Sequence, residues 1–178
     1  IGSNSFFSCS SLTSITIPSS VKSISNNSFL DCYIHKDNLI NNSSATGYPW
    51  GATLYDTIQD DGLYISGTTV VKCKQDATNV TIPNSITSIS NGAFSHCGSL
   101  SSITIPESVT EIGATAFRKC VLLSENFINQ SSLDAEANNY WRAGVYDVIQ
   151  EDGLCIRGTS VWGCRPNSSG VTIPDYVT

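Results

Sequence analysis

Residues 101–117, SSITIPESVTEIGATAF, nearly repeat residues 13–29, TSITIPSSVKSISNNSF, and weaker copies of the pattern recur along the chain. Ile-Pro stands at Ile17-Pro18, Ile82-Pro83, Ile105-Pro106 and Ile173-Pro174. Phe-x-x-Cys stands at Phe6/Cys9, Phe29/Cys32, Phe94/Cys97 and Phe117/Cys120, and neighbouring copies are 23 residues apart. A fixed period in the low twenties marks a solenoid, in which each coil buries its apolar side against the next. The repeat therefore predicts one elongated array over 1–178 and leaves little room for an enclosed catalytic pocket.

A longer period is laid over the short one. The segment DNLINNSS at 37–44 matches ENFINQSS at 125–132, an offset of 88. From Trp50 against Trp141 onward the offset is 91, so three residues are added between positions 44 and 50 when the first copy is read onto the second. Residues 50–83 and 141–174 share 18 of 34 positions. The chain reads as two super-repeats, about 1–86 and 87–178. Ile1 aligns with Ile24 and Val177 with Val109. The array is thus expected to be incomplete at both ends and to belong to a longer protein.

Within a coil the pattern follows from elementary stereochemistry. In LTSITIP, Ile15 and Ile17 alternate with Ser14 and Thr16, the period-two signature of a half-buried strand. Pro18 ends it, having no N–H for a ladder. Val21 and Ile24 turn inward again, and Phe29 and Cys32 follow across an Asn- and Ser-rich turn. A single coil buries too few apolar groups to offset its ordering entropy, so coils fold only as a stack. GLYISGTTVVKC and GLCIRGTSVWGC each predict a β-hairpin about a Gly-Thr turn. SSLDAEANNYWRAG predicts a short helix from an N-cap at Ser132 to a terminator at Gly144. Its counterpart SSATGYPWGA carries Gly47 and Pro49 and is expected to be less helical.

The string F-x-x-C-x-x-L-x-x-I-x-I-P-x-x-V-x-x-I is carried here by Phe94, Cys97, Leu100, Ile103, Ile105, Pro106, Val109 and Ile112. It resembles the Treponema-pallidum-type (BspA-like) class of leucine-rich repeat, and DGLYISGTTVVKC resembles the hairpin coil of such proteins. The resemblance implies a β-rich solenoid of the α/β class. In it a right-handed coil has parallel concave strands, inserted hairpins and short convex 3-10 or helical turns. It also implies a surface or secreted protein engaged in adhesion. Ala77 and Ser168 replace the usual Leu, and Asn38 and Asn126 stand where a strand Ile is expected, so those coils should be irregular.

Composition narrows the partners. The net charge of −6, with only nine Lys and Arg that do not cluster, argues against nucleic acid. No run approaches 18 apolar residues, so no membrane insertion by this segment is expected. Six Asn-x-Ser/Thr sequons, at Asn26, Asn41, Asn42, Asn79, Asn129 and Asn167, would carry N-glycans if a eukaryote secretes the chain.

Residues with chemical potential mostly have a structural reading beside the functional one. Cys9, Cys32, Cys97 and Cys120 share one repeat position, and Cys73 and Cys164 share another. Without any C-x-x-C pair, they are most simply buried thiols filling core columns, with disulfide and metal as the alternatives. A Cys155–Cys164 bridge is disfavoured, because a Gly158-Thr159 turn would pair Cys155 with Trp162. Neither His35 nor His96 sits in a catalytic context, so the chain reads as no enzyme, with no cofactor and no metal. Asp56/Asp60/Asp61 and Asp147/Glu151/Asp152 recur in register, as calcium ligands or as solvated openers of the hairpin. Trp50/Trp141, Tyr48/Tyr140 and Tyr55/Tyr146 suit either a sugar-stacking platform or the core, the Trp pair favouring the core.

The candidate binding face is the outward column Thr16, Thr81, Thr104 and Thr172 with its neighbours Ser14, Asn79 and Ser102. One complete Thr row falls short of the two that ice binding needs. As a contact surface, the face suits a protein or glycan ligand on a host cell or matrix. The structural alternative is a spacer or scaffold within a larger assembly.

Overall fold

The computed structural model describes residues 1–133, 144–165 and 168–178. They fall into two compact units, Ile1–Ile58 with Tyr64–Gly67, and Gln59–Leu63 with Thr68–Thr178. Each unit is a β-solenoid of stacked coils, the class that the repeat predicted. Among the described residues the only helical elements are two 3-10 turns, Lys36–Asn38 and Ser124–Asn126.

In the first unit Ile15–Ile17 pairs in parallel with Leu39–Asn41, and Tyr33–His35 pairs in parallel with Thr53–Tyr55. In the second, Asn79–Thr81, Ser102–Ile105 and Phe127–Asn129 form one parallel ladder. Thr69–Cys73, Ser88–Ile89 and Glu111–Ile112 form another. The Phe-x-x-Cys turns make a third set of coil-to-coil bonds: Phe94 N donates to Ala116 O at 2.8 Å and His96 N to Arg118 O at 2.9 Å. Each ladder places the backbone groups of one coil on the next, which satisfies them without a closed barrel. Proline acts as expected, since Ile15–Ile17 and Ser102–Ile105 both stop immediately before one.

The core is a set of columns. Phe6 and Phe29 stack with centroids 4.6 Å apart, and Phe94 and Phe117 at 4.8 Å. Trp50, 1% exposed, extends the first column, 6.1 Å from Phe29. Its indole N–H is satisfied by Thr46 O at 2.7 Å.

Asn38 and Asn126 do not spoil their coils. Each closes a 3-10 turn, and the strand resumes one residue later, with Leu39 opposite Ile15 and Phe127 opposite Ile103. Those coils are therefore 24 residues long, and the buried slots are filled by the next apolar side chain. Ala77 is likewise buried in a coil with regular pairing, Val80 against Ile103. The coil that carries Ser168 is irregular, as expected: no strand forms over 168–174.

The thiols depart from expectation in three ways. Cys9 is exposed, and Cys164 is exposed as well. Cys73 does not occupy a separate column: Cys97 Sγ lies 3.8 Å from Cys73 O, and Cys120 Sγ donates to Phe94 O at 3.0 Å. Cys73, Cys97 and Cys120 thus form one buried stack. All seven cysteines are free.

The second hairpin is formed by Leu154–Arg157 and Ser160–Cys164 about Gly158, whose φ of 59° suits its tight turn. Val148–Ile149 adds a third antiparallel strand. A bulge between Cys155 and Ile156 shifts the register, so Cys155 faces Gly163 rather than Trp162. The first copy has the same two runs, Leu63–Ser66 and Thr69–Cys73, on either side of Gly67. The segment around Gly47 and Pro49 contains no helix. Most of the helix expected from Ser132 to Gly144 lies outside the described residues.

Candidate functional site

On the solvent side of the second unit's parallel ladder, register brings Asn79 beside Ser102 and Thr81 beside Thr104. The Ser102 hydroxyl donates to Asn79 Oδ1 at 2.8 Å. Asn79 and Thr81 are exposed, and Ser102 and Thr104 are half-buried. The residue beyond Thr104 in this row is Ile128. In the first unit Thr16 stands beside Ile40, and Ser14 is exposed just ahead of the strand. Thr172 is exposed on a segment without strand pairing, its backbone N–H held by Asp152 Oδ2 at 2.7 Å. Of the seven face residues, four therefore meet in one ladder, two belong to the other unit, and Thr172 lies off the ladder.

The column reading missed the isoleucines. Ile40 and Ile128 are 48% and 49% exposed at equivalent places in the two copies. Their outward position follows only once the one-residue shift of the 3-10 turn is known. The signal in the sequence was the shared x-Ile-Asn after an apolar residue, LIN at 39–41 and FIN at 127–129. Each row thus sets threonine hydroxyls, donors and acceptors both, beside an exposed aliphatic surface.

The sequon side chains are variously engaged. Asn41 Oδ1 accepts Ser43 N and Oγ at 2.9 and 2.7 Å, and Asn129 does the same with Ser131 at 3.1 and 2.6 Å. Ser28, the hydroxyl of the Asn26 sequon, is fully buried. Asn167 lies outside the described residues.

Four of the six recurrent carboxylates accept backbone N–H groups. Asp61 Oδ2 accepts Thr81 N at 2.9 Å, the same bond that Asp152 makes to Thr172. Asp152 Oδ1 also accepts Leu154 N at 3.0 Å, and these N–H groups hold its carboxyl below the usual range. Asp56 Oδ2 and Asp147 Oδ2 each receive a hairpin-turn N–H, from Gly67 at 2.6 Å and Gly158 at 2.7 Å. Asp56 also pairs with Lys36 Nζ at 2.6 Å. Among the described residues no group of three or more His, Cys, Asp or Glu could hold a metal ion.

Trp50 is core, as its recurrence suggested, while Tyr48 is exposed and edge-on to it at 5.5 Å. Tyr140 and Trp141 lie outside the described residues. Tyr55 meets Tyr64 edge-on at 4.9 Å and His35 at 5.6 Å, and Tyr33 lies 6.1 Å from Tyr64. The rings of this cluster pack on one another, and His35 Nε2 bonds Asp56 O at 2.8 Å.

His96 has company that the linear sequence hid. The residue before cysteine in each Phe-x-x-Cys turn is left-handed, with φ of 54° at Ser8, 61° at Asp31, 68° at His96 and 60° at Lys119. Partial desolvation and the charges of Lys119, Lys72 and Arg118 hold the His96 imidazole below its usual value. Two of the nine Lys and Arg, distant in sequence, meet beside His96 in one concavity. His96, Lys119, Arg165, Tyr146, Val121 and Cys164 line an open cleft of about 860 Å³, joined by Gly98 and Cys120.

A family model described as BspA type leucine rich repeat region matches six copies, over residues 1–48 and 64–142. No curated protein and no solved structure matches the chain. Among the described residues no helix is long and apolar enough to cross a membrane.

Proposed function

This chain belongs to the BspA-type leucine-rich repeat family, and from that premise we propose that it is a non-enzymatic binding module, displayed at a cell surface or secreted. It recognises a protein or glycan ligand through the outward face of its parallel strands and the adjoining loops. The observation that supports this reading most is the row Thr81, Thr104, Ile128, with its counterpart Thr16, Ile40. Nothing in the fold requires isoleucine at a solvent-facing ladder position. Beside hydroxyls it supplies apolar area with hydrogen bonding and without charge, a combination that suits recognition. Coils repeated at fixed spacing offer many such weak contacts in one surface.

The test is attachment of the purified protein to immobilised host-cell and matrix material. The variants are Thr81→Lys with Thr104→Lys, and separately Ile128→Lys. Loss of attachment with unchanged unfolding curves is expected. If every variant attaches like the parent, the ladder face is not the recognition surface. A parent that attaches to nothing favours a rigid spacer in a larger assembly.

A further inference from the structure

We propose that the cleft between the Phe-x-x-Cys turns and the last hairpin strand of the second unit is a separate site for a small carboxylate-bearing ligand. Lys119 and Arg165 bind the carboxylate there, while Tyr146 and Val121 receive the body that carries it.

The first argument is chemical. Lys119, Arg165 and His96 contribute nitrogen donors to one cleft, and none of the described residues that line it is acidic. The chain as a whole carries −6. An excess of cations in one concavity of an acidic protein is a local reversal of field, which attracts an anion and excludes most other ligands. Arginine adds a planar fork that matches a carboxylate. A volume of about 860 Å³ is within the range of small-ligand sites and far exceeds one bare ion. The half-buried Tyr146 ring and Val121 offer the apolar surface that such a body needs.

The second argument comes from the super-repeat. At offsets of 88 and 91, Val121 corresponds to Tyr33, Cys155 to Tyr64, Tyr146 to Tyr55 and Lys119 to Asp31. In the first unit Tyr64 packs against both Tyr33 and Tyr55, with ring centroids 6.1 and 4.9 Å away. The second copy keeps the tyrosine at 146, replaces the other two rings by valine and cysteine, and turns an acid into a base. Of the cleft's two fixed cations only Lys119 is new to the second copy, since Arg165 corresponds to Lys74. Core packing alone asks for neither change.

The experiment is calorimetric or NMR titration of the whole chain with glucuronate, succinate and glucose. Glucuronate is expected to bind and glucose not to. Equal binding of succinate identifies any small carboxylate as the ligand class, and its failure identifies an acidic sugar. Lys119→Glu and Arg165→Glu should each weaken binding by roughly tenfold or more, the scale of a lost charge-assisted hydrogen bond. Val121→Tyr restores the ring that the first copy carries. It should abolish binding while leaving the basic groups in place and the unfolding curve unchanged. The site is refuted if neither acid binds at millimolar concentration, or if all three variants bind like the parent. Attachment through the strand face is unaffected by either result, so the two readings fail separately.

Discussion

The carboxylate of Asp61 accepts the backbone N–H of Thr81 at 2.9 Å, across 20 residues of chain, and so ties the hairpin entry to a strand of the parallel ladder. Asp152 repeats the bond to Thr172 at 2.7 Å. A hydrogen bond to a charged group contributes about 1.5–3 kcal/mol. Asp61→Ala should therefore destabilise the protein by about that amount, and Asp61→Asn, which keeps an acceptor oxygen, by less. Urea unfolding of the two variants checks the order. Equal loss from both would mean that charge, not acceptance of the Thr81 N–H, is what matters.

Acid should loosen the same fastenings. Backbone N–H groups from Thr172 and Leu154 lower the Asp152 carboxyl, and the Lys36 hydrogen bond followed by the Gly67 N–H lowers that of Asp56. Both folded values lie below the unfolded one of about 3.9. Their stabilisation is then complete above the unfolded value and is lost as pH falls through the folded values. The unfolding midpoint should drop below about pH 4, and Asp56→Asn with Asp152→Asn should flatten that drop. An acid limb as steep in the double variant as in the parent would assign the effect to other groups.

Phe94 and Phe117 stack in the second unit at 4.8 Å with both side chains fully buried. Truncating Phe117 to alanine should cost about 3–5 kcal/mol, since ring contacts are lost and close-packed neighbours relax only partly into the space. Denaturant unfolding measures it. A Phe117→Leu variant, which keeps part of the volume, should lose less. A loss below about 1 kcal/mol for alanine would mean that this column is not close-packed.

How much of this could be read beforehand depends on the range of the interaction. Ile15, Ile17, Ile103 and Ile105 declared their strands because alternation and the following proline are local signals. The Gly158-Thr159 turn was equally local, but the bulge that sets Cys155 opposite Gly163 was not, since it answers to packing on both sides of the strand. The outward place of Ile40 and Ile128 depended on a one-residue 3-10 shift that the strict 23-residue period concealed. The carboxylates of Asp61 and Asp152 were visible as recurrent acids, yet their partners lie 20 residues away. Lys119 and Arg165 are 46 positions apart in sequence and share a cleft only because the coils stack.

Thiol reactivity provides the last test, because it reads burial coil by coil. Cys9 and Cys164 are exposed, and Cys32, Cys73, Cys97, Cys120 and Cys155 are buried. Burial pushes the Cys120 thiol up to about 12 and raises Cys32 and Cys155 as well. The thiolate is the reactive form, so these groups are both shielded and held as thiols at neutral pH. Alkylation of the native protein at pH 8 should modify Cys9 and Cys164 within the time that leaves the other five intact. Unfolding in denaturant should then expose all seven. Peptide mass spectrometry distinguishes the two sets. Native labelling of Cys97 or Cys120 at the rate of Cys9 would show that the column Cys73, Cys97, Cys120 opens in solution, and the stacked core of the second unit would have to be abandoned.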